Sequence, residues 1–285
     1  MSYKAITVLL YGRDDPHTLS AAAWLAAEHG ARLTATPVYP DPASDLIAAG
    51  AALGAAIPQS TYDEMAELNQ EIQAGLEKAC RKACAEADIA YGAGEGAPRL
   101  ILEDLNPIVW TALERACTLT DLVVVGRGFV KAMPQRAMQV LEDVLMRLRV
   151  PLLVVSRGVG DLTGPVAIAW NGRLEAARAV KGAMPLIAGG SQTLILQHPS
   201  VSVVEALGPE VLADYLESHE LGGSDLVYFG GDDAGDALLQ EARRRNVGLL
   251  VAGAYGHSRL RELVLGGVTR SLLFADEAPS LLLAH

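Results

Sequence analysis

Apolar residues in this chain come in short runs with polar or glycine-rich breaks between them. Ala5-Ile-Thr-Val-Leu-Leu10, Leu122-Val-Val-Val125, Leu152-Leu-Val-Val155, Leu249-Leu-Val-Ala252 and Leu281-Leu-Leu283 are nearly unbroken. Runs of this length without polar alternation predict strands buried on both faces, as in a parallel sheet. Ala-rich or amphipathic stretches separate them, among them Ser20 to His29 and Glu175 to Ile187. Strands that alternate with helices indicate an α/β fold with a largely parallel sheet. The pattern predicts strands near 4–11, 31–38, 99–103, 121–126 and 151–156. A second set follows near 165–170, 192–197, 225–229, 248–252 and 280–284.

The two sets repeat one plan. Ala5-Ile-Thr-Val-Leu-Leu-Tyr-Gly-Arg13 is echoed by Val166-Ala-Ile-Ala-Trp-Asn-Gly-Arg173. Thr120-Asp-Leu-Val-Val-Val-Gly-Arg-Gly128 is echoed by Val247-Gly-Leu-Leu-Val-Ala-Gly-Ala-Tyr-Gly256, and a proline precedes the last run of each half. Internal repetition of this kind predicts two domains, 1–158 and 164–285, with Val159 to Pro165 as a Gly- and Pro-bearing linker. Residues 40–98 form a long insertion in the first domain. Within it, Ser60-Thr-Tyr-Asp-Glu64 offers a capping box. Met65, Leu68, Ile72, Leu76 and Ala79 continue at helical spacing, so a long amphipathic helix is expected. Gly92-Ala-Gly-Glu-Gly-Ala97 has the glycine spacing of a dinucleotide loop. Pro98 and the β-type run behind it deny that motif its helix, which leaves a turn.

Composition narrows the function classes. A hydrophobic content of 51% and a mean hydropathy of +0.24 exclude disorder, and no apolar run is long enough to span a bilayer. Met1 to Tyr11 reads as a first strand and not as a signal peptide, so a cytoplasmic location is expected. A net charge of −11 disfavours nucleic acid and anionic membranes as partners. Arg243-Arg-Arg245 is the one basic run, and it ends a predicted helix, where cations suit the dipole. Three cysteines do not suggest a disulfide framework. Cys80 and Cys84 are spaced to face one ligand, but no further Cys or His clusters near them, so no metal site is expected.

The chemistry-bearing stretch lies near the C-terminus. Leu249-Leu-Val-Ala252 leads into Gly253-Ala-Tyr-Gly-His-Ser-Arg-Leu-Arg-Glu-Leu-Val-Leu-Gly-Gly-Val-Thr269. Gly253 and Gly256 bracket a turn, Ser258 is placed to cap a helix, and Gly266-Gly267 follow. Glycines at such points let backbone N–H groups converge without Cβ interference, and a helix start adds a favourable dipole for an anion. His257 and Arg259 stand beside it as phosphate contacts or as solvated residues at a helix start. Trp170 and Tyr255 are candidates for flanking a base, though aromatics at strand ends are ordinarily buried.

That spacing, with the two echoing halves, resembles the tandem universal stress proteins over almost the entire chain. The resemblance implies two repeated five-stranded parallel-sheet domains of the adenine-nucleotide alpha-hydrolase-like, Rossmann-type three-layer kind, packed as a pseudo-dimer. It implies that ATP, ADP or AMP binds in the second domain, with or without Mg, in a stress-response sensor or adaptor. Carried over by residue, Gly253 and Gly256 approach ribose and phosphates, and Gly266, Gly267 and Val268 hold phosphate oxygens through backbone N–H groups. Thr269 adds its hydroxyl, and Asn171 with Gly172 stands where the family has an acidic nucleoside contact. Gly267 replaces the family's usual Ser or Thr. The first half keeps Gly126 but has no later glycine pair, and Gln135 to Leu148 reads as one helix, so no phosphate cradle is expected there.

Catalytic motifs are absent from the sequence: it has no P-loop, no Gly-x-Ser-x-Gly elbow and no His-Glu-x-x-His pair. No residue stands out as a general base, so a binding protein is expected, with slow ATP hydrolysis left open. Two other readings stay open: an interaction module that binds a protein partner without nucleotide, and a small-ligand site in the first half walled by residues 40–80. The resemblance also implies pairing of the repeats' last strands, Leu152 to Val155 with Leu281 to Leu283. That pairing gives a pseudo-twofold monomer, with homodimerisation optional.

Overall fold

The computed structural model describes residues 2–11, 16–38, 58–104, 109–199, 207–254 and 267–285. The chain divides into two compact units, Lys4–Thr120 and Asp121–His285 together with Met1–Tyr3. The division falls within the first expected repeat.

In the unit Lys4–Thr120, four parallel strands lie in the order β3 (Ala90–Tyr91), β4 (Arg99–Leu102), β2 (Arg32–Pro37) and β1 (Ala5–Leu10). Helix α1 (Pro16–His29) buries Ala21, Ala22, Ala23 and Ala26, small residues that let it lie close to its neighbours. It packs against α2 (Gln59–Ala87), the long helix expected from the sequence. Its cap differs from the expected one: Pro58 is the N-cap, no side chain bonds to the cap, and Ser60 already lies inside the helix. Proline at this point presets the extended backbone that precedes a helix. Leu76, Cys80, Ala83 and Cys84 form the buried stripe of α2, whereas Leu68 is exposed. Helix α3 (Val109–Cys117) packs on β2, and Cys117 is buried. All three thiols are free, and burial raises the pKa of each, to about 12 for Cys80 and Cys117.

The glycine-rich turn between β3 and β4 has the wrong polarity for phosphate. Carbonyls of Gly92, Glu95 and Gly96 point inward and accept from the Arg99 guanidinium at 2.7, 2.8 and 2.8 Å. A Cβ on Gly94 would lie 2.5 Å from Arg99 Nη1, so the turn wraps an internal cation.

In the unit Asp121–His285, the strand order is β5 (Leu122–Gly126), β6 (Leu152–Val155), β11 (Ser280–Ala284), β10 (Leu249–Gly253), β7 (Val166–Ala169), β8 (Thr193–Gln197) and β9 (Asp225–Tyr228). All neighbours are parallel except β6 and β11, which run antiparallel with Leu283 opposite Leu152 and Leu281 opposite Val154. The expected pairing of these two strands is therefore present. Every residue of β5, β6 and β11 is buried, which explains their unbroken apolar sequences.

Helices α4 (Arg127–Ala132) and α5 (Pro134–Glu142) follow β5, and α5 runs into a π-helical segment over Asp143–Leu148. The helix expected over 135–148 is thus present but widens in its last turns. The expected linker is not a plain connection. Val159–Leu162 forms a one-turn helix, α6, in which Asp161 and Leu162 are 4% and 1% exposed. Asp161 accepts from Arg157 N at 3.1 Å, Arg157 Nε at 3.0 Å and Ser280 Oγ at 2.8 Å. Local composition carries no trace of this tertiary docking.

Helices α7 (Leu174–Gly189), α8 (Pro209–Ser218), α9 (Ala234–Arg244) and α10 (Gly267–Phe274) complete the unit. Asp233 caps α9 by accepting from Gly235 N and Asp236 N at 2.8 and 3.0 Å. At its other end, Arg244 and Arg245 both bond to Glu241, so the basic run serves the helix that carries it. The Arg244 hydrogen bond, with Arg245 behind it, holds the Glu241 carboxyl down from 4.5 to about 2. A depressed carboxylate contributes stability above its unfolded pKa and loses it as the pH falls through the folded one. Urea midpoints of the wild type should therefore drop further than those of Glu241→Gln between pH 4.5 and pH 2. Parallel curves for the two proteins would contradict this.

Candidate functional site

In the order β11-β10-β7-β8-β9, the chain builds outward in one direction from β7 and in the other from β10. The two strands pair in parallel, with Ala169 opposite Ala252. Reversal of strand order between two parallel neighbours leaves a crevice beyond their carboxyl ends, where ligands of open α/β sheets bind. Beyond β7 the chain continues Trp170-Asn171-Gly172, and β10 ends at Gly253 with Ala254 behind it.

The β7 side is a braced turn. Trp170 is 4% exposed, and its indole N–H donates to the carbonyls of Leu207 at 2.9 Å and Gly208 at 3.3 Å. Buried and bonded in this way, it does not present a free face for base stacking. Gly172 has a φ of 69°, a conformation that glycine adopts without strain, and its carbonyl accepts from Leu207 N at 3.2 Å. Asn171 Oδ1 accepts the Arg173 N–H at 3.1 Å, an Asx turn that leads into α7. The acceptor expected to meet a nucleoside is thus already engaged once, with one lone pair remaining.

On the β10 side, Gly253 ends the strand directly beneath α7. A Cβ there would lie 2.6 Å from Ala176 N and 2.8 Å from the carbonyl carbon of Glu175. Close approach of a helix start therefore requires this glycine, independently of any ligand. Ala254 N donates to Ala284 O at 2.9 Å, and the His285 ring bonds to Ala254 O at 3.1 Å. Tyr255, Gly256, His257, Ser258, Arg259 and Gly266 lie outside the described residues.

Gly267 is the first residue of α10, and among the described residues no atom lies within 4 Å of where its Cβ would be. None of the described residues demands glycine here. Val268 is 41% exposed at this end, whereas Thr269 is 5% exposed and turned into the packing. Gly235, at the start of α9, brings α9 and α10 together: its Cβ would stand 3.1 Å from Ser271 Cβ and 3.3 Å from Val268 Cα.

Sequence reasoning missed Arg127. It is 6% exposed and bonds to carbonyls at the far end of α10. A single arginine at the start of a short helix has no local signature; the available signal is its place between two glycines directly after a wholly buried strand. Among the described residues, no group of three His, Cys, Asp or Glu is placed to hold a metal ion. No described helix is long and apolar enough to cross a membrane. In the unit Lys4–Thr120, an open groove of about 620 Å³ is lined by Arg32, Thr34, Glu103 and Arg115, among others. Glu103 there is held by Arg115 at 3.2 Å and Thr36 Oγ1 at 2.9 Å. This groove is not the one expected at residues 40–80, of which 40–57 lie outside the described residues.

No family model matches the sequence, and no curated protein matches it. Among solved structures, the chain is similar to a universal stress protein from Archaeoglobus fulgidus DSM 4304. That match has 14% identity over 98% of this chain and 95% of that one, with a TM-score of 0.67. A universal stress protein from Pseudomonas aeruginosa UCBPP-PA14, itself described as putative, matches at 14% identity over 99% and 93% of the two chains, with a TM-score of 0.54. A protein of unknown function from Pseudomonas aeruginosa PAO1 matches at 13% identity over 98% and 92%, with a TM-score of 0.52. The chain therefore has an α/β, mostly parallel-sheet fold of the kind found in universal stress proteins.

Proposed function

We propose that this chain binds ATP or a related adenine nucleotide at the carboxyl ends of β7 and β10 and acts as a stress-response sensor or adaptor of the universal stress type. In this reading it comprises two repeats, 1–158 and 164–285, of which the second carries the site. The observation that carries the reading is the reversal of strand order between β7 and β10. Asn171-Gly172 follow β7 on one side of this reversal, and Gly253-Ala254 close β10 on the other. No described residue crowds Gly267, and the start of α10 supplies N–H groups and a dipole suited to phosphate. The triphosphate brings the negative charge for such a helix start, and a divalent ion would accompany it as part of the ligand.

Calorimetry on the full chain with millimolar ATP tests the proposal. Binding is expected, and Gly256→Val together with Gly266→Val should abolish it. Gly267→Ser adds a hydroxyl donor where no described residue crowds it. One extra hydrogen bond to a charged group is worth about 1.5 kcal/mol or more, so affinity should rise about tenfold. Absence of heat from the wild type, or indifference to the valine substitutions, would overturn the reading.

A second reading draws on Asn171, whose oxygen is already engaged, and on the buried Thr269. In it the crevice stays empty and the long helix α2 or its neighbouring surface binds a protein partner. Partner capture that survives the loop substitutions would favour it.

A further inference from the structure

Helix α10 has 8 residues and is about 12 Å long. A helix so short does not hold itself together in water, so its direction is set by whatever grips its ends and side. Its side meets α9 at Gly235. Its carboxyl end meets Arg127. The guanidinium donates through Nη1 to the carbonyls of Leu272 at 2.8 Å and Leu273 at 2.6 Å. Through Nη2 it reaches Pro279 O at 2.9 Å, just before β11, and through Nε it reaches Ser156 Oγ at 2.7 Å, just after β6. Leu272 and Leu273 lie in the last turn, where carbonyls have no partner within the helix. A planar cation with several fixed donors suits that end, both for its hydrogen bonds and for the helix dipole. Burial lowers the guanidinium pKa to about 10, partly offset by Asp161, so the group stays a cation at neutral pH. Lys131, on the same short helix α4, adds an exposed tie to Asp276 at 2.7 Å.

We propose that Arg127 is the positioning residue of the nucleotide site: by gripping the carboxyl end of α10 it fixes where the amino end, Gly267 to Thr269, points. The first-half segment Gly126-Arg-Gly128, where β5 passes into α4 and no cradle of its own is expected, thus braces the site of the second half. The inference rests on the nucleotide reading given above. In its absence the helix start is free to tilt, and a phosphate must first order it.

The test compares wild type, Arg127→Gln and Arg127→Lys as full chains, by ATP calorimetry and by hydrogen exchange of amides 267–274. In Arg127→Gln the dissociation constant should rise tenfold or more. Its α10 amides should exchange faster without nucleotide and regain protection at saturating ATP. Arg127→Lys keeps the charge but not the fork and should fall between the two; it carries the test if the glutamine variant does not fold. A dissociation constant within twofold of wild type, alongside faster exchange, would make Arg127 a fold residue only and overturn the inference while leaving the nucleotide reading intact. A wild type that binds no ATP would overturn both.

Discussion

Asp161→Ala should destabilise the folded chain by about 3 kcal/mol or more, a large share of the roughly 5–15 kcal/mol that holds a typical domain together. Asp161 is 4% exposed and accepts three hydrogen bonds, from Arg157 N, Arg157 Nε and Ser280 Oγ. Ser280 is wholly buried, and its oxygen accepts the Ser156 N–H at 3.0 Å. Ser156 Oγ in turn accepts from Arg127 and donates to Pro279 O at 3.1 Å. Removing the carboxylate leaves the Ser280 hydroxyl and the Arg157 amide without their acceptor. It also takes away the charge that eases the burial of Arg127. Asp161→Asn keeps the shape and one acceptor oxygen, so it should lose clearly less. Urea unfolding at neutral pH reads both variants, with an unchanged slope marking a pure stability effect. An alanine variant within 1 kcal/mol of wild type would show that water replaces the carboxylate at little cost.

The strands were the most legible part of this chain, and the reason is physical. Strands buried on both faces tolerate only apolar side chains, so Leu122-Val-Val-Val125 and Leu281-Leu-Leu283 could hardly be anything else. All ten expected strands are present, and the pairing of β6 with β11 is as the resemblance implied. The additional strand β3, only two residues, is too short to carry a period. What composition could not convey were contacts made across long sequence separations. Val159 to Pro165 looked like a linker because Gly and Pro dominate it, yet Asp161 is held by Ser280, 119 residues away. Arg127 reaches Pro279 across 152 residues.

Of the candidate site's glycines, the structure describes Gly172, Gly253 and Gly267. A glycine marks a place where the backbone can come close to something, but a sequence does not say to what. No described residue lies near the Cβ position of Gly267, which remains compatible with a ligand, whereas Gly253 is crowded by the protein itself. The resemblance implies a nucleoside contact for Asn171; the turn it closes with Arg173 N–H is a local use of the same side chain. Asn and Asp favour such turns wherever a chain leaves a strand.

Gly253→Val should therefore weaken the fold before it touches any ligand. Its Cβ would sit 2.6 Å from Ala176 N and 2.8 Å from the carbonyl carbon of Glu175, both backbone atoms in the first turn of α7. A side chain could rotate away from such a clash, but a helix start must move as a whole. Ala176 is 2% exposed, so the displaced turn has little room. Forcing extra atoms into a packed interior costs typically about 1–3 kcal/mol, and a clash against backbone belongs at or above the upper end. Gly253→Ala already introduces the offending atom and should lose a substantial part of this, while Gly267→Ala, with no described residue near its Cβ, should change stability little. Chemical denaturation of the three variants gives the ranking directly; equal losses at 253 and 267 would contradict it. The comparison also decides how binding data must be read. Loss of ATP affinity in a Gly253 variant says nothing about a phosphate cradle, because a shifted α7 moves Asn171 and Gly172 with it. Loss in a Gly267 variant whose stability is unchanged points to the amino end of α10 itself.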